Sequence, residues 1–219
     1  TKGNKMKISK TILSFISAVA ILLSTSVVSF AKVVGDKIVL GAAISLTGKY
    51  SSNGVHTQNG YNMAVDRINS MGGVKVGGKT YKFEIIYYDD ESNPKRAAQL
   101  AERLISQDGV EFMLGPYSSG LTKAIAPVTE KYGVPMVEAN GASRSLFTKG
   151  YKYLFAVLAP ANLYLDVAID LAVEKNNGKP VTVAMAFEQD AFSQDVRSVS
   201  YTHLRAHETR EDRVCRRRG

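Results

Sequence analysis

Residues 73–80 read GVKVGGKT, a letter-for-letter match to the phosphate-loop pattern G-x-x-x-x-G-K-[ST]. A phosphate loop works because a strand enters it and a helix leaves it, aiming its first amides at the phosphate. The flanks here run the other way. Upstream, Val55 to Met71 has helical spacing, with Val55, Met63, Ala64 and Ile68 among polar residues, and Gly72-Gly73 ends it. Downstream, Thr80–Asp89 (TYKFEIIYYD) alternates with a period of two. With Val74-Lys75-Val76 before the Gly77-Gly78 pair, the stretch predicts a β-hairpin carrying Lys79 as a solvated residue. The match is therefore a coincidence of letters, and ATP binding is set aside.

Outward from the hairpin, extended and helical segments alternate. Lys37–Ser45 (KIVLGAAIS) is a near-continuous apolar run, as a parallel strand buried on both faces requires. Asn93-Pro94 reads as an N-cap and first-turn proline for PKRAAQLAERLISQ, with Ala97, Ala101, Leu104 and Ile105 on one face. Val110–Gly115 predicts a buried strand, and Ser118–Tyr132 a helix with Leu121, Ile125, Val128 and Tyr132 inward. Pro135–Glu138, Tyr153–Val157 and Val181–Phe187 predict strands, and Leu163–Lys175 a helix. This alternation defines an α/β chain built on a doubly wound parallel sheet.

The net charge is +8, from 28 basic and 20 acidic side chains. Ten of the bases and three of the acids lie in residues 1–31 and 201–219, so the body between them holds 18 and 17. A near-neutral body has no field to attract a polyanion, which argues against a nucleic-acid partner. The amino-terminal end has the order of a secretory signal: Lys7 and Lys10, an apolar run from Ile12 to Val28, then Ser29-Phe30-Ala31. Met6 is the expected true start and cleavage is expected after Ala31, with no cysteine nearby to carry a lipid. The last segment, Tyr201–Gly219, holds six of the eleven arginines, two of the three histidines and the one cysteine. His203, His207 and Cys215 lack a paired zinc-finger spacing, and the string resembles translated sequencing-adapter read-through. It is set aside as a non-native tail, which makes the chain an amino-terminal fragment.

In an open parallel sheet, ligands bind beyond the carboxyl ends of the strands. That rule selects three loops rich in Gly, Ser, Asn and Thr: Leu46–Gly54, Pro116–Gly120 and Ala139–Arg144. They bring forward Asn53, then Tyr117, Ser118 and Ser119, then Gly141, Ala142 and Ser143. Hydroxyls and free helix-start amides suit a small carboxylate. The same serines could simply cap their helices, and Ser52 or Asn53 could cap the first one. No catalytic constellation stands out. His56 has no cysteine or carboxylate beside it, Ser118-Ser119-Gly120 lacks the glycine of a nucleophile elbow, and Asp89-Asp90-Glu91 is open to a metal or base role or to a solvated turn. No cofactor or metal is expected.

Five motifs in order resemble the solute-binding proteins of ABC importers, of the branched-chain-amino-acid type: KIVLGAAISLTG, INSMGGVKVGGKTYKFEIIYYDDESNP, ISQDGVEFMLGPYSSG, GVPMVEANGAS and FEQDAFSQD. The resemblance runs from about Lys37 to Val199. It implies a type I periplasmic-binding-protein fold, with lobe one over residues 32–157 essentially complete. A crossing at Leu158-Ala159-Pro160 would lead into a truncated lobe two over 158–200. It implies that Ser119 and Ser143 hold a ligand carboxylate through hydroxyl and amide, and that the Gly141 carbonyl meets an α-ammonium. Asn53 falls where the family often has an aromatic, and Phe192 where it usually has tyrosine. The acidic lobe-two partner would lie beyond Ser200, and the usual disulfide positions read Ser92 and Ser118. The implied role is non-enzymatic capture of an amino acid or similar small ligand by a periplasmic monomer, served by a membrane permease and its separate ATPase. With lobe two truncated, the fragment is expected to bind weakly or not at all. A sensing receptor on the same fold and an exported hydrolase working through His56 or Asp90 are the alternatives.

Overall fold

The computed structural model describes residues 33–177, 183–198 and 200. The signal segment, the tail beyond 200 and residues 181–182 lie outside the described residues. Seven strands form one sheet: β1 (Val33–Val34), β2 (Lys37–Ile44), β3 (Val74–Val76), β4 (Lys79–Asp89), β5 (Met113–Leu114), β6 (Met136–Glu138) and β7 (Leu154–Ala156). The order is β3-β4-β2-β5-β6-β7, with β1 antiparallel to β2. The five strands from β4 to β7 are mutually parallel, and β3 joins β4 as the antiparallel arm of the expected hairpin, Val74 opposite Tyr81. The sheet is thus mixed, with a parallel centre. The strand that reads as a continuous apolar run is the central one. β2 pairs with β4 over eight residues, from Lys37 with Lys82 to Ile44 with Asp89, and with β5 at Gly41 and Ala42.

Helix α1 (Ser51–Ser70) follows β2. A Cβ on Gly54 would stand 1.7 Å from the Ser45 carbonyl, so glycine is what lets the helix cross the end of β2. At its other end Asn69 imitates a strand neighbour for β4: its side chain donates to the Phe83 carbonyl and accepts from the Phe83 amide, each at 2.8 Å. Val55 and Met63 of this helix are exposed, and it buries Gly54 and Thr57.

Helices α2 (Pro94–Ser106) and α3 (Ser119–Tyr132) carry the core. Asn93 caps α2 as expected, accepting from the amides of Lys95 and Arg96 at 2.9 and 3.2 Å. Ala97, Ala101 and Leu104 of α2 and Leu121, Ile125 and Ala126 of α3 join Val39, Ala43, Met113 and Met136 of the sheet in one buried cluster. Gly133, at φ 67°, ends α3 in the left-handed conformation.

Four expectations need correction. The strand expected over 110–115 is confined to Met113–Leu114, because the Val110 amide is spent on the Leu104 carbonyl at the end of α2. Tyr132 faces outward, 38% exposed, where its hydroxyl donates to Glu102 at 2.8 Å. The helix expected from Leu163 is split: a 3-10 turn over Ala161–Leu163 precedes α5 (Asp166–Lys175), α4 being the short Arg144–Phe147. Residues 183–187 form no strand, since a ladder needs a second strand and none among the described residues pairs with them. Residues 191–198 are helical.

Candidate functional site

The parallel strands run in the order β4-β2-β5-β6-β7, so the direction in which successive strands are added to the sheet reverses between β2 and β5, and the loops leaving those two strands part at that point. A cavity of about 460 Å3 opens there. Tyr117, Ser118, Ser119 and Ala142 line it from the sheet side, and Leu158, Tyr164 and Phe192 from the segment beyond β7. Tyr50 packs edge-on against Tyr117, and Tyr164 against Phe192, each pair with ring centroids 5.5 Å apart. Glu188 and Asp190 add carboxylates at the rim, and Lys49 lies 3.6 Å from Glu188.

Five of the eight expected site residues therefore share one cavity: Tyr117, Ser118, Ser119, Ala142 and Phe192. Asn53 lines an adjoining cavity of about 430 Å3 with His56 and Tyr61; the two cavities share Tyr117, Ala139 and Asn140. Gly141 and Ser143 line neither. Ser143 is fully buried, its amide donating to Ser119 Oγ at 3.0 Å. Its hydroxyl donates to Asp195, whose carboxylate also accepts from the Ser145 amide at 3.1 Å. The carboxylate found on Ser143 is thus the chain's own.

The capping reading of Ser118 also holds, since its hydroxyl accepts from the Leu121 amide at 3.3 Å. Ser118 takes φ 82°, ψ 142°, a region that a side chain seldom adopts and that costs on the order of 1–3 kcal/mol. The turn delivers Ser119, 2% exposed, to the start of a 14-residue helix whose first amides lack intrahelical partners. Neither Ser52 nor Asn53 caps α1: the N-cap is Tyr50, with no side-chain bond, and its amide donates to Ser92 Oγ at 3.0 Å.

The acidic cluster is a structural clamp. Asp89 accepts from the amides of Leu46, Thr47 and Glu91 and from the Thr47 hydroxyl. Burial works against its charge, but these donors prevail and hold the carboxyl below its ordinary range. Asp90 is fully buried, accepts from Ser45 Oγ and the Ser92 amide, and is pushed up by that burial. Asp90 lines neither cavity and His56 lines the adjoining one, so they share no reacting position. Among the described residues no group of three His, Cys, Asp or Glu side chains is placed to hold a metal, and no helix is long and apolar enough to cross a membrane.

Glu138 escaped the sequence reading. It is fully buried behind the loop Ala139–Ser143, accepting from the amides of Asn140 and Gly141 and bonded to Thr122 Oγ1 at 2.6 Å. Its one signal was a charged residue closing an otherwise apolar strand, VPMVE. Tyr50, Tyr164 and Asp195 were missed because only tertiary folding brings them to the cavity or to Ser143.

The model of the family described as periplasmic binding protein matches residues 37–207, and the chain belongs to that family. It is 27% identical over 161 residues to the leucine-, isoleucine-, valine-, threonine- and alanine-binding protein of Pseudomonas aeruginosa, covering 74% of this chain and 41% of that protein. Among solved structures it superimposes on the branched-chain amino acid transporter substrate binding protein LivJ of Streptococcus pneumoniae in complex with isoleucine. There the TM-score is 0.57 and the identity 30%, over 64% of this chain and 39% of the other. It also superimposes on an ABC transporter solute binding protein of R. palustris in complex with 4-hydroxybenzoate, with TM-score 0.66 and 28% identity over 78% and 44%. The fold is that of the type I periplasmic binding proteins. The chain spans about two fifths of the length of the curated relatives it matches.

Proposed function

We propose that this chain is the extracytoplasmic substrate-binding part of an ABC transporter, and that it captures a small carboxylate such as an amino acid without transforming it. The cavity at the reversal point of the sheet carries the reading. It sets hydroxyls and helix-start amides on one wall and the rings of Tyr164 and Phe192 on the other. Its relatives are named for what they bind, not for a reaction. A ligand held by donors on the sheet side and covered by rings on the other favours the closed arrangement through contacts that only closure completes. In this reading the protein is exported by its amino-terminal segment, without a lipid, works as a monomer, and hands the ligand to a membrane permease driven by a separate ATPase.

Isothermal titration of the full chain with L-isoleucine and with 4-hydroxybenzoate tests the binding step. Saturable heat is expected with at least one probe, and Ser119→Ala should weaken it by about tenfold, the cost of one hydrogen bond to a charged group. Binding that Ser119→Ala leaves unchanged would refute the placement.

A further inference from the structure

Glu138 is a buried carboxyl whose state is set by burial and three hydrogen-bond donors, with no cation contributing among the described residues. Its Oε1 accepts from the amides of Asn140 and Gly141. Its Oε2 lies 2.6 Å from Thr122 Oγ1, and that hydroxyl lies 3.0 Å from the Ser118 carbonyl. Thr122 has one hydroxyl proton for two acceptors. Facing an ionised carboxylate, it must give that proton to Oε2 and abandon Ser118. Facing a protonated carboxyl, it accepts the proton on Oε2 and passes its own to Ser118, so that every partner is satisfied. A carboxylate buried without a cation is costly, which favours the second arrangement.

We propose that Glu138 is the positioning residue of the cavity: as a neutral acid it ties the loop Ala139–Ser143 to the Ser118 peptide, and its ionisation unties them. This rests on reading the cavity as a ligand site. Two glycines show that the chain is built around this carboxyl. A Cβ on Gly115 would come within 2.3 Å of Oε2, and one on Gly141 within 2.7 Å of Thr122 Oγ1. Burial pushes Glu138 up to about 7, so the switch falls at physiological pH. The titratable groups packed closest to it are tyrosines. From α1, Tyr61 is raised out of range, by burial first and Glu138 second, and behind it Tyr87 of β4 is pushed up to about 12 by burial. Gly115, just after β5, and Thr122 of α3 complete its surroundings, neither of them charged. Asp195 reaches only the far end of the loop, at Ser143, and His56 lines the adjoining cavity with Asn140.

Amide NMR spectra of the full chain between pH 5 and 9, without ligand, test this directly. The amides of Asn140, Gly141 and Ser119 should move together through one midpoint near neutrality. Glu138→Gln, whose amide donates to Thr122 while its oxygen accepts from the loop, should hold all three at their acid positions throughout. Glu138→Ala should lose those positions at every pH. Silent amides in the wild type, or a Glu138→Gln chain that titrates like it, would overturn the proposal. In a second arm, L-isoleucine should bind the wild type about tenfold more weakly at pH 8 than at pH 6, and Glu138→Gln equally at both. Titrating amides with no probe bound would leave the positioning role standing and sink the reading of the cavity; wild-type binding that ignores pH would sink the positioning role.

Discussion

Asp89 at the end of β4 and Glu138 at the end of β6 perform the same task in opposite electrical states. Each holds a cavity-side loop by meeting its amides and one threonine hydroxyl: Leu46, Thr47 and the Thr47 hydroxyl for Asp89, and Asn140, Gly141 and the Thr122 hydroxyl for Glu138. Asp89 is partly exposed and its donors keep it ionised, whereas Glu138 is sealed and burial outweighs its donors. Whether a carboxyl clamp works as an anion or as an acid is therefore decided by the balance of burial against its hydrogen-bond donors, and the two clamps fall on opposite sides of that balance.

The largest way to break the comparison is to fill the space that Glu138 needs. Gly115→Ala places a methyl 2.3 Å from Oε2 and 3.0 Å from the Glu138 Cα, so backbone must move. A loss of about 3 kcal/mol or more is expected in urea unfolding. A cost below about 1 kcal/mol would show that the pocket is loose.

Next in size is the pH dependence. Glu138 has its folded value raised from 4.5 to about 7, so its contribution is complete below about 4.5 and is lost as pH rises through 7. That amounts to about 3 kcal/mol between pH 4.5 and 8. Asp90, also raised by burial, acts in the same sense. Asp89, held low, contributes above its ordinary 3.8 and loses that contribution as pH falls below it. Stability should therefore peak near pH 4–5, and Glu138→Gln should flatten most of the alkaline slope. A stability curve rising from pH 5 to 8 would reverse the assignment for Glu138.

The smallest effect sharpens the contrast. Thr122 is fully buried, and Thr47 is exposed. Thr122→Val should cost about 1–3 kcal/mol and Thr47→Val about 0.5 kcal/mol, since water can replace only the second hydroxyl. Equal costs would mean that burial does not separate the two clamps.

Much of the fold could be read from the chain, because its signals were local. Period two in TYKFEIIYYD, the Asn93-Pro94 cap and the apolar run at Lys37–Ser45 each fixed an element without reference to its neighbours. Where an element depends on partners, the reading overreached: Val110–Phe112 and residues 183–187 look like strands but fall outside the described ones, and Tyr132 turned out to meet Glu102. The site followed the same division. Of the residues that line the cavity, Ser118, Ser119, Tyr117 and Ala142 were expected from the rule about strand ends, and Phe192 from the resemblance. Glu138 stayed hidden, since a carboxyl pinned behind a loop leaves little mark in the order of residues.

The most direct test of the cavity as a ligand site is an amide and aromatic NMR titration of the full chain with L-isoleucine and with 4-hydroxybenzoate. The expected result is saturable movement of the Tyr117–Gly120 and Ala139–Ala142 amides together with the Tyr164 and Phe192 rings. No saturable movement with either probe, or movement confined to Asn53, His56 and Tyr61, would contradict it.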